Sequence, residues 1–477
     1  MTRSRLLLAV AALALLLLAG CNAPAHYDTG GPPDPEGDVV GWEQGIWYNE
    51  TLPVTVDDGL NDTERRMVVA RTTARVEHLR DVEFDDPVKV NVLSRAAYRE
   101  QVLGGGGADG SGPSDAALLD NARDEALFLV GERADSDTER RETQATQVLG
   151  YYAPSRDEIV VIAGGENPVI SDSTLAHELV HAYQFRHLNP PYNQSTLEQK
   201  NANLGLIEGD ASLLDHRYER RCTQKWECVT PPSEGGGGSG GGDGSGTADG
   251  PHMGLALLNY FPYSDGPVFV RALQERGGWD AVNDAYADPP RSAAQVISPS
   301  KYGRDGSSSV TVSPDHDDEW RALSVRGPDY DSLGMPGITA MFAYPSYDDS
   351  RAGGVVPPSQ FLEDGPDRSL DPIKYDMPYA DGWDGDKLRA YEHTESGELG
   401  YVWRTKWKRN AGAREFAAGY RSLLAYWGGE RVRDGVWRIP EGESEFADAF
   451  AVRVDGDTVT VTNAPSVDAL DDVNPRG

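Results

Sequence analysis

Residues 175–184 read LAHELVHAYQ and contain the pattern HExxH. In an α-helix, side chains four residues apart project from one face, so His177 and His181 can both direct an imidazole nitrogen at one zinc ion. Glu178 is offset by one residue and can reach a water molecule on that ion without becoming a ligand itself. The stretch therefore predicts a buried active-site helix around which the rest of the fold is arranged.

A catalytic zinc site needs a third protein ligand and one open position. Residues 206–211, LIEGDA, supply Glu208, which follows His181 at a distance that allows a loop and a returning helix. Gly209 and Ala211 are small enough to let two helices approach closely and share an ion. Glu208 is therefore the predicted third ligand.

Two other acids on the same predicted helix are candidate site residues. Asp210 lies farther round the helix and is the alternative ligand. Asp215, two turns beyond Glu208, is a candidate acceptor that would orient a ligand histidine. A metzincin site is not indicated, because Gln184 occupies the position of that motif's glycine, although His187 stands at the position of its third histidine.

The segments HELVHAYQ and IEGDA together resemble the gluzincin group of zinc metallopeptidases, the HExxH…E branch of the thermolysin-like clan. They resemble in particular haloarchaeal-like, lipid-anchored relatives whose third ligand lies in an EGxA motif. Residues 150–162, GYYAPSRDEIVVI, are similar to the edge-strand hairpin that precedes the active-site helix in that group. In such enzymes the edge strand holds an extended peptide through main-chain hydrogen bonds. The resemblance implies a zincin-like unit with a mixed sheet and active-site helices, and a peptide or protein substrate.

The resemblance also implies how the site works. One Zn²⁺ per chain would be bound by His177, His181 and Glu208, and Glu178 would pass a proton from the zinc-activated water to the leaving amine. A tyrosine or histidine from a later segment usually stabilises the oxyanion in such enzymes. We select Tyr263, which precedes a predicted helix in the segment PYSDG. The alternatives for this role are Tyr260, Tyr302 and His252.

Hydrophobic periodicity predicts an α+β chain, with Asp172 or Ser173 capping the HExxH helix. The expected helices cover 63–79, 203–220, 252–261, 266–276, 278–287 and 413–426. The expected strands cover 88–93, the hairpin 148–152 and 159–162, and the terminal hairpin 451–454 and 458–462.

Composition shifts divide the chain into expected units. They are a signal peptide (1–21), a flexible tether (22–45), the N-terminal α/β part of the catalytic unit (46–165), a helical zinc-binding part (166–302) with a Gly-rich excursion (231–250), an acidic linker (303–335), a smaller α+β C-terminal domain (336–466) and a tail (467–477).

The N-terminus predicts export. Residues 6–18 form an apolar run after two arginines, too short to span a membrane and typical of a signal peptide. The sequence LAGC that ends at Cys21 resembles a lipobox, so Cys21 is expected to carry a lipid that anchors the protein to the outer face of the membrane. The alternatives are an ordinary signal peptide and an uncleaved anchor. In an oxidising exterior, Cys222 and Cys228 are expected to form a disulfide, and a metal pair is the alternative.

The charge balance restricts the environment and the partners. The chain has 77 acidic and 44 basic residues, a net charge of −33, and only eight lysines. A phosphate backbone would be repelled, so nucleic acid is excluded as a partner. An acidic, lysine-poor surface suits high salt, although an acidic secreted protein in ordinary salt is the alternative. Calcium stays open without support, because the acidic run 315–319 lacks the spaced residues and glycine of a calcium loop.

Two other functions compete with a peptidase. One is a catalytically silent zincin-fold lipoprotein that binds a partner at the cell surface. The intact HExxH argues against it, because loss of Glu178 would be the simplest route to inactivity. The other is a zinc amidase that acts on a non-peptide substrate such as wall cross-links. The sequence leaves the oligomeric state open.

Overall fold

A computed structural model of the chain describes residues 34–104, 112–165, 167–191, 195–231, 252–304, 306–348, 351, 353–365 and 368–475. The signal peptide with Cys21, the first part of the tether and residues 232–250 of the Gly-rich excursion lie outside these ranges. The fold is α+β, as predicted. Within the described residues, none of the helices combines the length and the apolar character needed to cross a membrane.

The helices are α1 (Asp62–Arg80), α2 (Arg95–Gly104), α3 (Asp115–Ala126), α4 (Ser136–Gln147), α5 (Asp172–Tyr183), α6 (Leu197–Gln224), α7 (Met253–Ala287), α8 (Ala293–Ile297), α9 (Gly334–Ala343), α10 (Asn410–Tyr426) and α11 (Leu470–Val473). The strands are β1 (Trp42–Glu43), β2 (Ile46–Trp47), β3 (Lys89–Leu93), β4 (Gly150–Ala153), β5 (Glu158–Ile162), β6 (Trp320–Ala322), β7 (Trp383–His393), β8 (Leu399–Trp407), β9 (Glu430–Arg433), β10 (Val436–Arg438), β11 (Ala449–Asp455) and β12 (Thr458–Ala464).

A small three-stranded sheet forms the floor of the N-terminal half. Its order is β3-β5-β4, with β3 parallel and β4 antiparallel to the central strand, so β4 is an edge strand. The predicted hairpin is therefore present, with its turn over residues 154–157. Helix α5 packs on this sheet and on α6, because Leu175, Leu179 and Val180 share one buried core with sheet residues such as Ile159 and with Leu214 of α6.

Helix α5 begins differently from our expectation. Its N-cap is Ser171, which makes no capping hydrogen bond, and neither Asp172 nor Ser173 caps the helix. Asp172 is buried and instead forms ion pairs of 3.2 Å with Arg71 and with Arg75 of α1. Asp172 is the first residue of α5, and its carboxylate also accepts a hydrogen bond of 3.2 Å from the Val229 backbone N–H. After Tyr183 the helix continues into one π-helical turn, Gln184–Leu188.

Helix α6 is longer than predicted and approaches α7 closely. It begins at Leu197 rather than near residue 203, because Thr196 caps it by accepting a hydrogen bond from the Gln199 backbone N–H. A Cβ atom on Gly209 would lie 2.4 Å from the carbonyl of Gly266 in α7. Gly209 thus permits close packing against α7, while Ala211 lies in the buried core that α6 shares with α5 and α1.

The C-terminal half contains a seven-stranded antiparallel sheet in the order β6-β7-β8-β12-β11-β10-β9. Residues 303–335, expected as an acidic linker, contribute β6 to this sheet and the buried Asp331, which contacts Arg123 at 3.2 Å. The expected tail contributes α11, whose Leu470 and Val473 are buried. One apolar core runs from α6 and α7 into this sheet, so the helical part and the C-terminal part pack as neighbours rather than as units with separate cores.

Candidate metal centre

Three side chains from α5 and α6 converge beside the edge strand β4 of the small sheet. His177 and His181 approach each other with 3.2 Å between their Nε2 atoms, and each Nε2 atom lies 3.3 Å from Oε2 of Glu208. Among the residues that the structure describes, this is the one group of three or more His, Cys, Asp or Glu side chains whose ligand atoms could hold a metal ion. The sequence-predicted ligands therefore meet in space.

The triangle of these atoms fits a tetrahedral ion. Zinc ligands lie about 2.0 to 2.1 Å from the metal, so two ligands of a tetrahedron are separated by about 3.3 to 3.4 Å. Oε2 of Glu208 is buried and has no hydrogen-bond partner in the described part of the chain, although it lies 3.3 Å from both imidazoles. Two imidazole nitrogens with one carboxylate suit zinc or a similar transition metal and do not suit calcium or magnesium.

The three groups are electrostatically coupled. Burial alone lowers the pKa of His177 and His181, but the Glu208 and Glu178 carboxylates together outweigh it, raising the pKa of His177 and bringing the pKa of His181 to about 10. Burial raises the pKa of Glu208, but the two histidines outweigh that effect and lower it. A cation at the centre would take the place of these protons, so metal binding and protonation compete there.

Glu178 lies next to the triangle without belonging to it. Its side chain is buried and its Oε2 atom has no hydrogen-bond partner among the described residues. Burial raises the pKa of Glu178 and Glu208 raises it further, while His181, His177 and the backbone N–H of Tyr152 oppose that rise. Gly150 lets β4 approach this carboxylate, since a Cβ atom there would lie 3.3 Å from Cγ of Glu178.

Tyr263 on α7 reaches the same centre. Its ring stacks over His177, with 6.2 Å between ring centroids and an interplanar angle of 21°, and the residue is 39 % exposed towards solvent. Burial of the hydroxyl end and the nearby Glu208 carboxylate raise the pKa of Tyr263. The phenol therefore remains protonated and can donate a hydrogen bond.

The alternative tyrosines and the histidine are placed differently. Tyr260 lies one ring farther out, 6.2 Å from Tyr263 between centroids. The Tyr302 hydroxyl donates to the backbone carbonyl of Asp288, and His252 caps α7 by accepting from the Leu255 N–H. Tyr263 is thus the member of this group that contacts the histidine cluster.

Asp210 and Asp215 have different surroundings. Asp210 points away from the centre, where it forms a bidentate ion pair with Arg80, at 3.0 and 3.1 Å, and accepts a hydrogen bond from Tyr286. It is therefore occupied and is not a ligand in this arrangement. Asp215 has a buried Oδ1 atom without a hydrogen-bond partner in the described ranges, and burial raises its pKa to about 7 while His177 opposes that rise. Asp215 is close enough to His177 for the charges of the two side chains to interact, but these two described side chains do not form a hydrogen bond.

Gln184 is the site residue that sequence reasoning missed. Its Oε1 atom lies 2.9 Å from Nδ1 of His181, and its Nε2 atom donates to the carbonyl of Ile207 at 2.9 Å. The signal was present in the sequence, because Gln184 follows His181 by three residues and so shares its helix face. In the sequence alone it stands out only as a departure from the metzincin pattern.

A cleft of about 490 Å³ opens at the centre. It runs along β4 and between α2 and α4, two helices for which the sequence offered no functional role. Its lining beyond His177, Glu178, His181, Glu208 and Tyr263 consists of Tyr98, Gln101, Val102, Gln144, Val148, Gly150, Tyr151, Tyr152 and Phe185. The cleft is thus uncharged apart from the metal-centre groups and rich in aromatic rings.

The far end of α6 is held by a disulfide between Cys222 and Cys228. The nearby Trp226 packs on the ring of Tyr218 at 5.2 Å and against the Arg75 guanidinium at 4.6 Å from its ring centroid. The pair of cysteines is therefore part of the packing of α6 on α1 and lies apart from the metal centre.

Comparison with known proteins finds a family match for one part of the chain. Residues 321–474 match the model of a family described as a domain of unknown function, DUF8575. Neither the comparison with curated proteins nor the comparison with solved structures finds a match for this chain. The matched region begins at the second residue of β6, continues through β12 and α11, and does not include the histidine cluster.

Proposed function

We propose that the chain is a zinc metallopeptidase of gluzincin type, with a zincin-like catalytic unit. The observation that carries the proposal is the triangle of His177, His181 and Glu208, with an unpartnered buried carboxylate oxygen of Glu178 beside it. Two imidazoles, one carboxylate ligand and one free carboxylate are the parts that zinc-dependent hydrolysis of a peptide bond requires.

When bound, zinc supplies Lewis acidity that acidifies water and polarises a carbonyl group. Glu178 accepts the proton from water at its free Oε2 atom and donates it to the departing amine nitrogen. Burial raises the pKa of this carboxylate, and a carboxylate with a raised pKa is a stronger proton acceptor. Tyr263 donates a hydrogen bond from its protonated hydroxyl to the oxygen on which negative charge develops.

The cleft supports a peptide as the substrate. Strand β4 pairs with β5 on one side only, so its other edge can pair with an extended chain. Tyr151 and Tyr152 lie on this edge and line the cleft, and the Tyr152 backbone N–H faces the catalytic carboxylate. An extended peptide bound along β4 would bring its backbone past Glu178.

The proposal includes export and anchoring by a lipid on Cys21, on the outer face of the membrane. It rests on the charged start, the short apolar run and the LAGC sequence at residues 18–21. The disulfide between Cys222 and Cys228 supports an oxidising location. The excess of acidic residues supports a high-salt environment.

The test is to measure zinc content and hydrolysis of an unfolded casein-type substrate by the mature chain in molar salt. We expect one zinc per chain in the wild type and in Glu178→Gln, while the variant loses about 10²- to 10⁴-fold in hydrolysis because its proton acceptor is gone. Glu275→Gln, an exposed change on α7, is the matched control and should retain full activity.

Each outcome decides between functions. Full hydrolysis by Glu178→Gln would contradict the proposed role of Glu178. Zinc uptake without hydrolysis of any peptide pool would favour the binding lipoprotein or the zinc amidase. Failure of the folded wild-type chain to take up zinc would remove the metal centre itself.

A further inference from the structure

Gln184 forms a polar bridge between the two helices that carry the metal-binding side chains. It is fully buried at the junction of α5 and the π-helical turn. One end of its amide contacts Nδ1 of His181, and the other end contacts the carbonyl of Ile207, the residue directly before Glu208. The bridge therefore joins the second ligand to the third through two hydrogen bonds of 2.9 Å.

The chemistry of the two partners determines which way the amide points. A backbone carbonyl can only accept a hydrogen bond, so the NH₂ group of Gln184 must face Ile207. The reversed amide would bring two oxygen atoms together without a proton between them. The Oε1 atom therefore faces His181, which requires the imidazole to carry its proton on Nδ1.

The consequence appears at the opposite ring nitrogen. A neutral imidazole with its proton on Nδ1 has a free lone pair on Nε2, and Nε2 is the atom that points at His177 and Glu208. The same bridge ties α5 to α6 one residue before Glu208, so it also limits how far the two helices can separate.

Resting on the metal centre proposed above, we propose that Gln184 is a positioning residue. It selects the tautomer of His181 that can bind a metal through Nε2, and it holds the His181 and Glu208 helices at binding distance. Partners of this kind typically contribute about 10- to 100-fold to metal affinity.

The test compares Gln184→Met, which removes both hydrogen bonds at nearly equal length, with Gln184→Glu, which keeps only the acceptor for His181. Zinc affinity is measured by competition with a chelator, independently of hydrolysis. We expect Gln184→Met to bind zinc about 10- to 100-fold more weakly than the wild type. Gln184→Glu should keep most of the affinity, because its carboxylate still accepts the Nδ1 proton.

The matched control is Thr339→Val on α9, which removes another buried side-chain hydrogen bond to a backbone carbonyl, that of Tyr375 at 3.0 Å. It should lower the unfolding temperature and leave zinc affinity unchanged. Wild-type affinity in Gln184→Met would overturn the inference. Equal loss in Gln184→Glu and Gln184→Met would show that the bridge acts only as a link between helices, and would overturn the tautomer argument.

A second measurement needs no variant. Long-range ¹H–¹⁵N NMR of the zinc-loaded wild type, labelled on histidine, should show His181 with its proton on Nδ1 and its Nε2 atom bound to metal. The opposite assignment would overturn the inference. Zinc binding without peptide hydrolysis would contradict the peptidase proposal alone, whereas a wild-type chain that binds no metal would remove both.

Discussion

Helix α6 carries two acids, Glu208 and Asp210, whose side chains lie in different environments. Glu208 faces α5 and meets two imidazoles, each with Nε2 at 3.3 Å. Asp210 lies about 200° farther round the helix, since each residue advances by about 100°. There it meets the Arg80 guanidinium in a bidentate pair.

Glu208 and Asp210 differ in the group that supplies the positive charge beside the carboxylate. Arg80 always carries its own charge, so the pair with Asp210 is balanced and has no need of an ion. Imidazoles that present lone pairs are neutral. The negative charge of Glu208 is therefore neutralised only when protons or a metal cation bind at the centre. A buried carboxylate is therefore structural beside arginine and a potential ligand beside histidines.

The largest expected effect separates these two faces. Glu208→Gln should weaken zinc binding by more than about 100-fold, because a direct ligand contributes more than the partners that orient ligands. Asp210→Asn should retain zinc binding but lower the free energy of unfolding by about 3 to 5 kcal/mol, because Arg80 would be left buried without its partner. Zinc titration and denaturant unfolding of both variants measure the two effects.

The matched pair is its own control, since both changes convert an acid to its amide on one helix. If Asp210→Asn lost zinc as strongly as Glu208→Gln, the two faces of α6 would not be independent, and the comparison would fail.

A smaller effect is expected at Gly209, between the two acids. Gly209→Ala places a methyl group 2.4 Å from the backbone of Gly266, which cannot move aside easily. The helices α6 and α7 should separate, at a cost of about 1 to 3 kcal/mol in the free energy of unfolding. Because Tyr263 lies on α7 and Glu208 on α6, hydrolysis should fall more than zinc affinity does.

Gly104→Ala is the control for this change, because Gly104 ends α2 and a Cβ atom there meets no other atom within 4 Å. The free energy of unfolding of Gly104→Ala should stay at or above that of the wild type. Unchanged stability in Gly209→Ala would contradict the close approach of α6 and α7.

The effect that is smallest per pH unit concerns a third acid on α6, Glu198, which forms no ion pair with an arginine or histidine within the described residues. Burial, with Asp386 nearby, raises the pKa of Glu198 from 4.5 to about 8. Between these values the folded chain holds a proton that the unfolded chain has lost, so this group makes stability fall as pH rises through that window. One such proton changes the free energy of unfolding by at most about 1.4 kcal/mol per pH unit.

Glu198→Gln removes this titration while its amide oxygen can still accept the Ala293 N–H that Glu198 accepts at 2.8 Å. Unfolding free energies of both chains at pH 5, 7 and 9 should therefore diverge, with the variant losing less stability as pH rises. Parallel pH profiles would contradict a protonated Glu198.

Local sequence patterns were sufficient for several features. The spacing of His177 and His181, the turn chemistry of the β4–β5 hairpin and the apolar stripe of α6 depend on repeats of two or four residues along one element. The α+β class follows from the same patterns. The types of the three side chains that could hold a metal ion also needed no tertiary information, because few residue types serve as metal ligands.

Other features depended on which elements pack together. The Arg80 partner of Asp210 is 130 positions away along the chain, and nothing local to either residue predicts the pairing. Strand β6, within the expected acidic linker, is a second example. The polar composition of the linker is typical of exposed chain, and only the pairing with β7 makes this segment a strand. The bounds of α6 also shifted, since Thr196 rather than the apolar stripe determines where that helix begins.

The sequence by itself therefore determined the residues that can bind a metal, the helices that carry them and the acidic, lysine-poor surface. The tertiary structure alone decided that Glu208 rather than Asp210 faces the histidines, that Gln184 joins α5 to α6, and that α2 and α4 form the walls of the cleft. The physical reason is the range of the interactions. Helix periodicity acts over a few residues, whereas the balance of a buried charge is settled by partners from distant parts of the chain.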